Sequence, residues 1–370
     1  MRKLALIGAA LAVAAGITAN VARAETELNF GIISTEASAN QKKNWEPFLE
    51  AMTKATGLKV NGFYASDYAG VIEAMRFNKV QVAWYGNKSG MEAVDRSNAE
   101  VFAQTVSKDG STGYYAHIIA NVDSPYTKLE DILKCDKSID FSIGDPNSTS
   151  GFLVPTSYVF AAKNIDPKNC FKTLRNASHQ ANAMAVANKQ VAAATNNSED
   201  LTRLENSAPD ARKKIRIIWT SPIIPLDPLT WRKDLDPAVK TKLYTFLLSY
   251  GRVGTPEEIK EAREILGHLV WSPFNPSNND QLLPIRILEA NKSMMKINGD
   301  DKLSAEEKAA QLAPFQAALK KAQADAEKAE HSPFKKQFAT FVETDKSGDQ
   351  AAIKKLIGEF AANAVTAPTN

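Results

Sequence analysis

The chain has 370 residues, 44% of them hydrophobic, with 45 lysines and arginines against 42 aspartates and glutamates. The whole surplus sits in the first 24 residues, as Arg2, Lys3 and Arg23, so the rest of the chain is balanced, with 42 of each. A balanced chain lacks the basic excess that nucleic-acid binding draws on, and about 346 residues exceed what one core holds, which predicts two domains.

Residues 1–24 read as a secretory signal peptide: Arg2 and Lys3, an apolar run from Leu4 to Ile17, and a small-x-small site that places cleavage after Ala24. The run is short for a membrane span of about 20 residues. Leu28–Ile33 then predicts a strand and Trp45–Thr56 a helix with Trp45, Phe48, Leu49 and Met52 on one face. Lys59–Tyr64 is a strand, Tyr68–Phe77 a helix that Asp67 can cap, Val80–Tyr85 a buried strand and Gly90–Arg96 a helix. Strands over Val101–Val106 and Gly113–Val122 are expected to leave this first α/β lobe.

A second α/β block follows, with a helix at Leu129–Leu133 and a strand at Ser138–Ile143. The loop Gly144-Asp-Pro-Asn-Ser-Thr-Ser-Gly151 comes next, then a helix over Ser150–Lys163 in which Pro155 is tolerated near the start. Ser148, Thr149 and Ser150 are of the type that caps helix N-termini, where free N–H groups and the positive dipole end suit a phosphate-like anion. An ordinary surface cap is the plainer reading of the same residues. Strands are predicted at Phe171–Leu174, Val191–Thr195 and Ile215–Thr220, with a helix at Asn182–Lys189 and an extended return at Ser221–Pro225. Cys135 and Cys170 flank the Gly144–Gly151 loop; an exported pair invites a disulfide, with two free thiols as the alternative. Beyond Thr230 the chain reads as helices, including Val239–Leu248, Pro256–Ile265, Ser304–Glu330 and Gln350–Val365. The Ala/Lys/Glu-rich tail suits solvated amphipathic helices or, alternatively, a homodimer contact.

The expected architecture is a lobe from residues 25–115 and 230–370, which includes the C-terminal helices, and a second lobe, 116–229, inserted into it. A cleft between two such lobes is a favoured place for a ligand. Enzyme and metal signatures are missing from the sequence. His117, His179, His268 and His331 lie far apart, there is no Gly-x-Ser-x-Gly elbow or phosphate-binding Gly-x-x-x-x-Gly-Lys-Ser/Thr loop, and Asn298–Asp301 reads as a turn.

Several stretches together resemble the substrate-binding proteins of phosphonate ABC importers: Asn29–Glu36, Asp67–Val80, Ala83–Asn87, Glu92–Arg96, Gly144–Gly151, Ala185–Val191, Ala194–Glu199 and Ser221–Pro228. The resemblance runs from about residue 28 to about residue 290 and takes in both lobes. It implies a type II periplasmic binding fold, two α/β lobes around a cleft joined by two hinge strands. It also implies a non-enzymatic periplasmic protein without cofactor or metal, which delivers a phosphonate to an ABC permease. In such proteins the phosphonate group lies at the helix start matching Ser148, Thr149 and Ser150, and tyrosines matching Tyr68 and Tyr114 reach it from the other lobe. The amino end of an aminoalkylphosphonate is held by carboxylates matching Glu199 and Asp227, with a histidine matching His179 nearby. The chain departs from the family at Ser178-His179-Gln180, where the family has Gly-His-Glu. From the residues alone, Glu199 also suits a capping acid paired with Arg203, Asp227 a turn carboxylate, and His179 a surface histidine. Competing functions are a receptor for another phosphorus oxyanion, an enzyme on the same fold, and a sensing module.

Overall fold

The computed structural model describes residues 27–366, so the expected signal peptide lies outside the described residues. The strands, in chain order, are β1 (Glu27–Ile32), β2 (Lys59–Tyr64), β3 (Val82–Trp84), β4 (Ala99–Ser107), β5 (Gly113–Tyr114), β6 (Ala116–Asn121) and β7 (Asp140–Ile143). They continue with β8 (Thr173–Asn176), β9 (Ala193–Asn197), β10 (Ile215–Thr220), β11 (Ile224–Pro225), β12 (Pro228–Arg232) and β13 (Trp271–Pro276). Two large sheets, in the orders β13-β4-β12-β3-β1-β2 and β10-β6-β9-β7-β8, and a two-stranded pair, β11-β5, result. Parallel pairs make up one side of each large sheet (β2-β1-β3 and β8-β7-β9), and the strands that enter or return from the other sheet are antiparallel. Helices cover both sheets, in a two-domain arrangement.

The chain crosses between the sheets twice, and β5 pairs antiparallel with β11 at the crossing, Tyr114 opposite Ile224. Two expectations are corrected here. Val101–Val106 does not leave the first lobe: β4 is a central strand of the six-stranded sheet, held between β12 and β13, and the crossing begins only at Gly113. The chain beyond Thr230 is not all helical, because Trp271–Pro276 forms the edge strand β13. Pro273 and Pro276 argue against a strand from sequence, yet an edge strand tolerates residues that cannot donate to the ladder.

The larger core gathers under the six-stranded sheet. The helix Ser38–Thr56 buries the expected face, and Trp45 packs on Phe30, Trp84 and Trp271 with ring centroids 5.5, 5.5 and 5.3 Å away. The tail joins this core: Phe341, Ile353, Ile357, Phe360 and Ala361 are buried in it, and Arg252 pairs with Asp345 at 2.9 Å beneath Phe341. The apolar side of the last two helices is thus spent on their own lobe. The helix Leu283–Asn298 braces both lobes, with Leu282 and Ile285 packed in one cluster with Met91 and Val101 of the first lobe and Leu153 of the second. In the smaller lobe, Cys135 and Cys170 are joined by a disulfide.

Candidate functional site

The loop after β7 starts the site. Gly144 and Gly151 touch backbone to backbone: a Cβ on Gly144 would lie 2.6 Å from the Gly151 Cα. That approach lets the Gly144 N–H donate to the Gly151 carbonyl at 2.9 Å, and the Thr195 hydroxyl donates to the same carbonyl at 2.7 Å. Pro155, four residues on, has no N–H for that carbonyl, which is why it is free to turn outward. The helix responds by opening into π turns over Thr149–Leu153 and Thr156–Phe160, in place of the regular helix the sequence suggests.

Each of the three loop hydroxyls accepts from an N–H group. Ser148, the N-cap, accepts from the Gly151 N–H at 2.9 Å, Thr149 from the Lys88 N–H at 2.8 Å, and Ser150 from the Asn197 side-chain amide at 3.0 Å. With one lone pair already accepting, each oxygen can turn its O–H toward an anion, Ser148 in exchange for its 3.4 Å contact with His179 Nε2. All three residues are buried.

His179 opens the helix His179–Ala187 and is 3% exposed, which excludes the surface-histidine reading. Its Nε2 lies 3.4 Å from Ser148 Oγ and 3.2 Å from Asn197 Nδ2. The Asn197 carbonyl oxygen already accepts from the Asp200 N–H at 2.7 Å, so the amide nitrogen must face the ring. His179 Nε2 is therefore an acceptor and Nδ1 carries the proton, buried and without a partner. Burial, with help from the Arg203 charge, lowers the His179 pKa to about 3, so the ring is neutral near neutral pH.

The first lobe supplies Tyr68, at the start of a helix capped by Asp67, whose side chain accepts from the Gly70 N–H at 2.8 Å. The Tyr68 N–H donates to Asp145 of the other lobe at 3.1 Å. Tyr114 sits on the crossing strand β5 instead of within the first lobe. Burial pushes both phenols up, and the neighbouring hydroxyls, Ser148 for Tyr68 and Ser150 for Tyr114, offset part of that.

Glu199 and Asp227 come together beside Tyr114. Glu199 lies in the first turn of Ser198–Ser207, and Asp227 between β11 and β12, its N–H donating to Thr105 at 3.1 Å. Each is buried with one carboxylate oxygen lacking a partner. Burial raises both carboxyls, and the charge of Glu199 drives Asp227 up further; Arg203 opposes both shifts, as does Tyr114 at Asp227. Trp84 faces Asp227 and Trp271 faces Glu199, although neither buried indole N–H reaches hydrogen-bond geometry. Glu199 is not paired with Arg203 as a helix neighbour: the guanidinium turns across the cleft to Glu36, 3.3 Å away in the other lobe.

All eight candidate ligand residues, from Tyr68 to Asp227, line one tight cavity of about 10 Å³, nearly filled by their own side chains. Wider recesses on the surface are open and lack this convergence of buried polar groups. The chemistry is that of a binding site that brings one set of neutral donors and one pair of buried acids into the same cavity. Residues 30–282 match the family described as "ABC transporter, phosphonate, periplasmic substrate-binding protein". This chain belongs to that family. It is 52% identical over 295 residues to the phosphonates-binding periplasmic protein of Escherichia coli, covering 80% of this chain and 85% of the relative. A crystal structure of a binding protein component of an ABC phosphonate transporter from Pseudomonas aeruginosa superposes with a TM-score of 0.79 at 49% identity, over 83% of this chain and 99% of that one. A phosphate-import protein of Mycolicibacterium smegmatis is 28% identical over 243 residues, 62% of this chain and 74% of its own.

The family is a substrate-binding component of a transporter, not an enzyme, and its members are periplasmic. Among the described residues no helix is long and apolar enough to cross a membrane. Membership does not by itself explain four lining or bordering residues that the sequence left unassigned to the ligand: Asn197, Arg203, Trp84 and Trp271. Asn197 carried a readable signal, since Asn before an acidic first turn is an N-cap pattern. Trp84 reads more readily as packing than as a pocket wall, and Arg203 as a helix-surface partner of Glu199. Trp271 carries no local signal, because β13 brings it to the site from far along the chain.

Proposed function

We propose that this protein captures an aminoalkylphosphonate, with 2-aminoethylphosphonate as the reference ligand, and delivers it to the membrane permease of an ABC transporter. The single observation that carries the reading is the pairing of orphaned buried oxygens on Glu199 and Asp227 with a separate neutral donor set at Ser148, Thr149 and Ser150 in the same cavity. The phosphonate dianion would take the three hydroxyl protons, the Tyr68 and Tyr114 hydroxyls and the His179 Nδ1 proton. Each such charged hydrogen bond contributes about 1.5–3 kcal/mol. The ammonium would lie between the two carboxylates, whose burial is otherwise costly.

The same acids disfavour an anion without an amine. The second reading, a receptor for phosphate, phosphite, methylphosphonate or a phosphate ester, draws on the mycobacterial relative's name, which specifies phosphate import. Calorimetry with 2-aminoethylphosphonate, methylphosphonate and phosphate separates the two readings. The expected preference for the amine-bearing ligand over phosphate is about 100-fold, or about 2.7 kcal/mol. Equal affinities would refute it. In the periplasm the chain would begin at Glu25, after cleavage at Ala24, which mass measurement of the exported protein checks.

A further inference from the structure

We infer that an open basic recess beside the ligand cavity is an electrostatic capture surface, which draws phosphonate or phosphate dianions to one side of the cleft before the lobes close. The recess is lined by Lys43, Lys108, Lys260, Arg263 and His268, with Glu36 and Glu264 as its acids. Arg203 lines both this recess and the ligand cavity, so a single guanidinium separates them. Glu36 is already engaged by Arg203 at 3.3 Å, and the Lys260–Glu264 contact is 3.9 Å between largely exposed side chains, a weak pair. Lys43 and Lys108 make no ion pair among the described residues, and the Lys108 ammonium lies along the last turn of the helix Pro256–His268, near Gly267.

The recess on the other side of Glu36 has the opposite character. Glu36, Asp67 and Asp145 line it, and no lysine, arginine or histidine does. A dianion approaching the closed cleft is therefore repelled from one flank and attracted to the other. Lys43, Lys108, Lys260 and Arg263 all belong to the lobe built on the six-stranded sheet, so the patch stays intact when the lobes part. The balanced charge of the chain beyond residue 24 conceals this local asymmetry. Clefts lined by one sign of charge raise association rates about 10- to 1000-fold, and the gain disappears with salt because screening acts over about 8 Å at physiological ionic strength.

The inference rests on the ligand being a phosphonate or phosphate anion, and not on its carrying an amine. Stopped-flow association of both 2-aminoethylphosphonate and methylphosphonate is therefore measured at about 10 mM and about 300 mM salt. The variant Lys43→Glu/Lys108→Glu/Lys260→Glu is compared with a control of equal net charge, Lys320→Glu/Lys336→Glu/Lys354→Glu, on exposed tail positions. The recess variant is expected to lose about tenfold or more in association rate at low salt, with the dissociation rate unchanged and most of the salt dependence gone. The control should behave like the parent protein. An unchanged association rate in the recess variant, or an equal loss in the control, would overturn the inference. A failure of the amine preference alone would leave these rates as expected for whichever ligand binds.

Discussion

At the Ser148–Ser150 end of the cleft every hydroxyl has its acceptor side filled by an N–H, whereas at the Glu199–Asp227 end two carboxylate oxygens and two indole N–H groups are buried without partners. The first end is neutral, with the Ser148 and Ser150 contacts inside one lobe and the Thr149–Lys88 contact joining the two. The second is charged and stays electrostatically unfavourable until a cation enters. The difference teaches how one fold can serve a ligand class and still choose within it. Neutral donors bind the phosphorus group that all members share, and buried acids test for what only some members carry.

The largest expected effect comes from disturbing the neutral end. In Gly144→Ala the new Cβ would meet the backbone of Gly151, so the loop must shift and all three hydroxyls move with it. Affinity for 2-aminoethylphosphonate and methylphosphonate should fall together by about 1000-fold, or about 4 kcal/mol, in calorimetry. A selective loss of one ligand would break the division between the two ends.

Changing the charged end should instead separate the ligands. Asp227→Asn is expected to weaken 2-aminoethylphosphonate by about 100-fold and to leave methylphosphonate unchanged or tighter. The same variant has a pH signature. Burial, reinforced by Glu199, raises the Asp227 carboxyl above its unfolded value, so the folded ligand-free protein holds that proton more tightly than the unfolded chain does. The resulting stability is complete below the unfolded value, near pH 4, and is lost as pH rises through the folded value. Melting temperature without ligand should therefore decline over that span in the parent protein and less steeply in Asp227→Asn. Binding the ammonium favours the ionised carboxylates and should release protons, seen as a buffer-dependent heat.

The neutral end was the more legible in the sequence, because its logic is local. Hydroxyls before a helix, a glycine at each end of the loop and a proline inside the first turn all lie within a dozen residues. The strand–helix alternation likewise exposed both α/β blocks and the buried face of the helix around Trp45. What escaped was set by long-range geometry. Nothing near Val101 shows that the strand remains central, since β12 and β13, which flank it, come from beyond residue 227. Arg203 has an acid four residues before it, the usual helix pairing, yet lobe closure offers it Glu36 instead. The family resemblance supplied Glu199 and Asp227, which from their own neighbourhoods were as readily a cap acid and a turn acid.

His179 yields the smallest effect and the finest test of the comparison, because a single ring contact assigns it to one set or the other. Its contacts place it with the donors: Ser148 and Asn197 hold Nε2, which leaves the Nδ1 proton to donate. If it acts there, His179→Ala should weaken 2-aminoethylphosphonate and methylphosphonate equally, by about tenfold, the usual size of one charged hydrogen bond. Nitrogen NMR of the ligand-free protein should show Nδ1 protonated, Nε2 bare and no titration of this ring between pH 5 and pH 8, since burial lowers its pKa to about 3. A loss confined to the amine-bearing ligand would move His179 to the acid end. A ring that titrates near pH 6.5 would mean that water reaches it, and that the donor set is not closed in the way the three filled hydroxyls imply.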